Sequence, residues 1–189
     1  MADQIARQGA LEGLLKPETF GAGDGTRIEE LADVTQRQIF ARNGQSDALA
    51  KAVAGFLKQK KPLGPLQGGE RGGVFVCAVG PREYWVVAQG RSAVKAMQEL
   101  EKAVASLASV FDQSDGRFVI RLSGPGADGV LARGTSLDLQ DPALPAKWGT
   151  HTQIEHIPAL VLRRASRGTV VFDVSVPRSY AGSFVAWLR

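Results

Sequence analysis

The sequence predicts an α+β fold built from tandem split β-α-β units with mainly antiparallel sheets. Three observations carry that reading. Short apolar runs of strand length recur at close spacing, and two of them, 74–79 and 84–88, are joined by Gly80-Pro81-Arg82-Glu83 as a hairpin signal. Segments with helical apolar spacing separate such runs, so that the order strand, helix, strand, strand, helix is met and then recurs. The chain has 189 residues, 44% of them hydrophobic and 22% charged, enough to bury one shared core. An amino-terminal arm, 1–27, is expected to be flexible. The domain proper is expected over 28–189, in two intertwined halves of about 28–110 and 111–189.

Each element has its own signal. Glycines at 21, 23 and 25 beside a short apolar patch mark the arm. Residues 28–40 alternate loosely through Leu31, Val34 and Ile39 and read as one strand. Ser46-Asp47 reads as a helix start, with Leu49, Val53, Phe56 and Leu57 on one face, Lys58, Lys60 and Lys61 at the negative end and Pro62 as the stop. Residues 64–73 read as a linker or hairpin arm. Ser92 is placed to cap a long helix with a core stripe of Val94, Met97, Leu100, Val104 and Leu107. A strand follows at 118–123, then a short helix at about 127–133 that stops at Gly134. Strands are expected near 153–157, 159–164 and 170–176. Pro177 suits the first turn of a last helix whose core face holds Tyr180, Phe184, Trp187 and Leu188.

Charge and thiol content exclude several function classes. There are 23 basic and 19 acidic residues, a balance that does not point to nucleic acid. The whole excess lies in 147–189, where Lys147, Arg163, Arg164, Arg167, Arg178 and Arg189 face only Glu155 and Asp173. Cys77 stands alone, so no internal disulfide forms and no multi-thiolate metal site exists. Apolar runs are far too short for a membrane span, and Met-Ala-Asp-Gln is not a signal-peptide start, so a cytoplasmic protein is expected.

Candidate sites narrow quickly. Gly124-Pro125-Gly126-Ala127-Asp128-Gly129 fits GxGxxG, yet the helix after it is about two turns long and no acid ends a second parallel strand some 20 residues on. A tight strand-to-helix turn is the better reading. His151 and His156 are five apart and point to opposite faces of a strand, and His151 and Glu155 would lie about 13 Å apart, so neither pair chelates one ion. Ser123 and Ser136 lack a G-x-S-x-G elbow, Cys77 sits inside an apolar run, and the glycines of 68–73 lack the Lys-Ser/Thr of a phosphate loop. What remains is the basic segment. Arg163, Arg164 and Arg167 read either as a solvated hairpin tip or as a docking surface for an acidic partner, and Trp148 and Tyr180 as core or interface anchors.

A family resemblance adds to this. Phe111-Asp112-Gln113-Ser114-Asp115-Gly116-Arg117, Val119-Ile120-Arg121-Leu122-Ser123-Gly124-Pro125 and Val130-Leu131-Ala132-Arg133-Gly134-Thr135-Ser136-Leu137-Asp138-Leu139 resemble segments of the gamma subunit of heterotetrameric sarcosine oxidase. So do Arg42-Asn43-Gly44-Gln45, Thr152-Gln153 and the run Val176-Pro177-Arg178-Ser179-Tyr180-Ala181-Gly182-Ser183-Phe184. The likeness covers about 28–189. It implies the fold of the folate-binding aminomethyltransferase of glycine cleavage, and a small non-catalytic subunit that docks on an alpha subunit. It implies no cofactor in this chain, with FAD, FMN, NAD, tetrahydrofolate and zinc held by alpha, beta and delta partners. The assembly so implied oxidises the N-methyl group of sarcosine or a related N-methyl amino acid, giving glycine and hydrogen peroxide and passing the one-carbon unit to tetrahydrofolate. The chain lacks the aminomethyltransferase's Asp-Asp pair and the Lys-Gly-Cys-Tyr-x-Gly-Gln-Glu motif of folate-dependent repair proteins; the nearest stretch is Ala132-Arg133-Gly134-Thr135-Ser136-Leu137. The fold is therefore expected to persist as a packing surface. The alternative is a stand-alone folate-binding or methyl-transfer protein. On either reading no nucleic acid or membrane partner is expected, and Trp148, Arg163, Arg164 and Arg167 are the candidate partner-facing residues.

Overall fold

The computed structural model describes residues 9–12, 25–166 and 169–188. In chain order these form β1 (Arg27–Glu30), β2 (Val34–Ala41), α1 (Ser46–Phe56), β3 (Gly68–Arg71), β4 (Val74–Gly80) and β5 (Glu83–Gln89). Then follow α2 (Ala93–Val104), β6 (Ala108–Asp112), β7 (Arg117–Ser123), α3 (Ala127–Ala132), β8 (Trp148–Ile154), β9 (Ile157–Ser166), β10 (Thr169–Pro177) and α4 (Ala181–Leu188). Two five-stranded sheets result, ordered β1-β7-β10-β9-β8 and β3-β4-β5-β2-β6. Every strand pairing within them is antiparallel.

Period-two alternation gives each sheet two buried faces, and this sets the layers. Strand β7 sends Phe118, Ile120 and Leu122 into a core shared with α3 and α4, and Val119 into a second core between the sheets. Strand β4 sends Val74, Val76 and Ala78 toward α1 and α2, and Phe75, Cys77 and Val79 inward to meet Val119, Leu160 and Leu162. Helices thus lie outside and the sheets pack face to face. Each large side chain fully withdrawn from water contributes about 1.5–3 kcal/mol, and the core holds many. A backbone seam also joins the sheets: Gly149 donates its N–H to Leu66 O at 2.9 Å, and Gly68 donates to Lys147 O at 2.9 Å.

Several boundaries differ from expectation, each for a local reason. The single strand expected over 28–40 is two strands in different sheets, because Asp33 turns the chain at φ 52°. The half boundary shifts with it: β1 belongs to the sheet built from the second half. Helix α1 ends at Phe56, and Lys58 takes φ 55°, so the lysines expected in its last turn lie beyond it. Ser46 and Ser92 make no side-chain cap bond. Val94 is 54% exposed instead of core, and Leu107 lies past the end of α2. Pro177 ends β10, a single 3-10 turn over Arg178–Tyr180 follows, and Tyr180 is 39% exposed rather than buried. Of the expected arm, 1–8 and 13–24 lie outside the described residues. Leu11 is buried against the core of β7 and α4, with the Ala10 and Leu11 amides donating to the Glu30 carboxylate at 2.8 and 3.1 Å.

Candidate functional site

Charged and polar side chains enter the layer between the sheets at a few points, and the register of β7, β9 and β10 decides which meet. Arg121 lies opposite Asp173 on β10, and Arg164 stands one strand further on β9. Asp173 is 1% exposed and takes a bidentate pair from Arg121, at 2.7 and 2.8 Å, while Arg164 donates to its second oxygen at 3.0 Å. Arg164 also reaches across the layer to Glu70 of β3 at 3.0 Å and lies over the Phe75 ring, 5.0 Å from its centre. Burial alone would lower the Arg121 pKa. The Asp173 hydrogen bond and charge, helped by Glu29 and Glu70, outweigh it and raise the value above the ordinary one.

Four residues earlier on the same face, Arg117 makes different contacts. Its Nε donates to Ser175 Oγ at 2.9 Å and its Nη2 to Ser175 O at 2.7 Å, and its guanidinium lies 5.1 Å from the centre of the Trp85 ring. Gln36 completes this group, its side-chain oxygen accepting from Ser175 Oγ and its backbone N–H donating to Ser114 Oγ at 2.9 Å. Burial pulls the Arg117 pKa down to about 10, still charged at neutral pH. Beside it opens a cavity of about 160 Å³, bounded by the turn from Glu30 to Val34, by Ser114 and by Arg178.

The residues expected to face a partner do not form one patch. Trp148 is 2% exposed and packs in the core beneath α3 and α4, so it is not a surface anchor. Arg164 is committed to Asp173 and Glu70 inside the fold and likewise leaves the expected docking surface. Arg163 alternates to the opposite face of β9, opposite Trp148 and Phe172 in register, and is half-buried. Arg167 lies outside the described residues.

The other candidates resolve as structure. Gly124 adopts φ 108°, and a Cβ there would stand 2.6 Å from Gly25 O, so the GxGxxG segment serves the close approach of the chain before β1 to the β7–α3 turn. Gly126 donates its N–H to Thr26 Oγ1 at 2.9 Å, which pins the same crossing. Gly72 and Gly73, at φ 58° and 79°, make the β3–β4 hairpin turn. Cys77 is buried, its thiol facing Leu66 O at 3.4 Å, and burial pushes its pKa up to about 12, far from a nucleophile. His151 Nε2 lies 3.5 Å from Glu83 Oε1, while His156 is exposed in the β8–β9 turn. Among the described residues no group of three His, Cys, Asp or Glu is placed to hold a metal, and no helix is long and apolar enough to cross a membrane. The Arg117–Gln36–Ser175 and Arg121–Asp173–Arg164 groups were missed from sequence. Their signal was a charge inside a strand otherwise apolar, Arg-Phe-Val-Ile-Arg at 117–121 and Phe-Asp-Val-Ser-Val at 172–176.

Comparison with known proteins now bears on the whole arrangement. A family model described as the GCVT N-terminal domain matches residues 64–188. Sarcosine oxidase subunit gamma of Corynebacterium sp. (strain P-1) is 30% identical over 187 residues, covering 96% of this chain and 88% of that protein. The chain belongs to the sarcosine oxidase gamma-subunit family, on a GCVT-type domain. Among solved structures, a chain of the heterotetrameric sarcosine oxidase from Corynebacterium sp. U-96, determined with pyrrole 2-carboxylate, superposes with a TM-score of 0.76 at 22% identity. The match covers 96% of this chain and 92% of that one. The aminomethyltransferase T of the glycine cleavage system from Bartonella henselae gives 0.61 at 19% identity, over 86% of this chain and 45% of that one. At those identities the two structures show a common fold. The gamma-subunit family and the aminomethyltransferase thus share the α+β architecture of antiparallel sheets derived above.

Proposed function

We propose that this chain is the gamma subunit of a heterotetrameric, FAD- and FMN-dependent sarcosine oxidase, itself non-catalytic and docked on the alpha subunit within a cytoplasmic complex. The observation that carries the reading is the 30% identity to a sarcosine oxidase gamma subunit across 96% of the chain. In this reading the alpha, beta and delta partners hold the flavins, NAD, tetrahydrofolate and zinc. They oxidise the N-methyl group of sarcosine or a close relative, and the one-carbon unit passes to tetrahydrofolate. The inside of the chain supports a structural role, since Arg121 and Arg164 are spent on Asp173 and the Cys77 thiol is held protonated.

Of the expected partner-facing residues, Arg163 keeps that part in the proposal: it is half-buried and, among the described residues, no carboxylate pairs with it. Gentle purification of the tagged protein from its own cells, followed by native mass spectrometry, tests the reading. Three further subunits with bound flavin are expected. A lone 20.1 kDa species that binds tetrahydrofolate at micromolar concentration overturns it in favour of a free-standing folate protein. Arg163→Glu is expected to weaken assembly most at low salt while leaving the fold intact.

A further inference from the structure

Three arginines enter the layer between the sheets, and the fold supplies a counter-charge to two of them. Arg121 has Asp173, and Arg164 has Asp173 and Glu70. Arg117 has none: among the described residues no carboxylate forms an ion pair with it, and its bonds go to one serine. A guanidinium presents five N–H donors in a fixed fork, so those not spent on Ser175 are left without a protein acceptor among the described residues. The buried polar side-chain atoms without a partner among the described residues are ring nitrogens of Trp85 and Trp148, so water reaches these N–H groups, while burial of the rest of the guanidinium lowers its pKa. Arg117 lines a cavity of about 160 Å³.

We propose that this cavity is a binding site for a compact carboxylate, seated on the Arg117 fork between the Glu30–Val34 turn and Ser114. The inference rests on the cavity and stands apart from the chain's place in an oxidase. The volume admits a few heavy atoms, well below the 300 Å³ or so at which drug-sized pockets begin. The planar fork matches a carboxylate, and Gln36 and Ser114 add polar atoms to the wall. Glu30 and Asp33 also line it, and their charge disfavours a dianion or an acidic protein segment while tolerating a single small carboxylate, still more one that carries an ammonium group.

The test is an amide NMR titration of the full chain with sodium acetate and, separately, glycine, at ionic strength held constant with chloride. Saturable shifts are expected at Leu31–Val34 and Ser114–Arg117, with sulfate giving none. Arg117→Gln is expected to weaken acetate at least about tenfold, as loss of a charged hydrogen bond does. Its melting temperature without acetate should fall only by what the lost Ser175 bonds and Trp85 contact account for, and the mutant should remain folded. Arg117→Lys keeps the charge but not the fork, and is expected to retain the fold and lose several-fold in affinity. Absence of saturable shifts up to about 100 mM, where any millimolar site is full, overturns the proposal. So do shifts that survive in both variants, or shifts that sulfate reproduces.

Discussion

At the scale of single residues, the inter-sheet layer depends on Asp173. Its carboxylate is 1% exposed and holds two guanidinium groups that would otherwise face each other across the β9–β10–β7 register. Asp173→Asn removes the charge and keeps the shape, so the loss should approach that of a broken buried ion pair, about 3–5 kcal/mol. In a chain of this size that is a fall of roughly 10 °C in melting temperature, read by calorimetry. Cys77 gives a second expectation. Burial lifts its pKa from an ordinary 9.0 to about 12, so the folded state keeps a proton that the unfolded state has lost between those limits. The stability the buried thiol contributes is complete below pH 9 and disappears as pH rises through 12. Urea titrations at pH 8 and pH 11 should therefore show the advantage of the native protein over Cys77→Ala shrinking at the higher pH. A thiol reagent at pH 8 should label Cys77 only after denaturant is added. Equal labelling of the native chain would place the thiol at the surface.

Elements show where local signals suffice and where they fail. The hairpin of β4 and β5 was legible because its strands carry unbroken apolar runs, 74–79 and 84–88, and turn at Gly80-Pro81-Arg82-Glu83. The break between β1 and β2 was not, because alternation runs on through Leu31 and Val34 and the turn is made by Asp33 without glycine or proline. Aspartate tolerates the left-handed region better than most residues, yet nothing nearby marks this one. Strand β6 escaped notice for a different reason: it lies at a sheet edge, with Phe111 50% exposed, so it carries little burial pattern. The polar groups between the sheets were illegible because Arg121 and Asp173 meet only through register across 52 positions. The Gly124–Gly129 segment tests the element reading directly. Gly124→Ala places a Cβ 2.6 Å from Gly25 O at φ 108°, and should cost roughly 1–3 kcal/mol. Gly129, inside α3 with nothing within 4 Å of a Cβ, should accept Ala with a gain of up to about 1 kcal/mol. Were the motif a phosphate loop instead, both variants would reduce nucleotide binding, and no such binding is expected to be lost.

For the whole molecule, the decisive feature is that the second half does not complete its sheet alone and that the two sheets bury their inner faces against each other. The sheet of β7, β8, β9 and β10 takes its edge strand β1 from the first half, and Leu11 fills the core beneath it. The inner faces of both sheets bury Phe75, Trp85, Val119, Leu160 and Leu162 only against each other. The seam at Leu66–Gly68 and Lys147–Gly149 and the Arg164–Glu70 pair bind the halves further. The chain should therefore unfold as one unit, with near- and far-ultraviolet circular dichroism falling along a single urea curve. A piece spanning 111–189 would expose Val119, Leu160 and Leu162, leave Arg164 without Glu70, and lose β1. It is expected to aggregate or remain unfolded when expressed alone, and to recover native dichroism when refolded with residues 1–110. Two resolved transitions in the full chain, or a soluble folded 111–189 fragment, would instead mean that the halves are separate domains. The layer between the sheets, with Arg117 and its cavity, would then be a surface where two bodies meet. A single transition makes the Arg117 cavity part of one cooperative core, in which a small bound carboxylate stabilises both sheets at once.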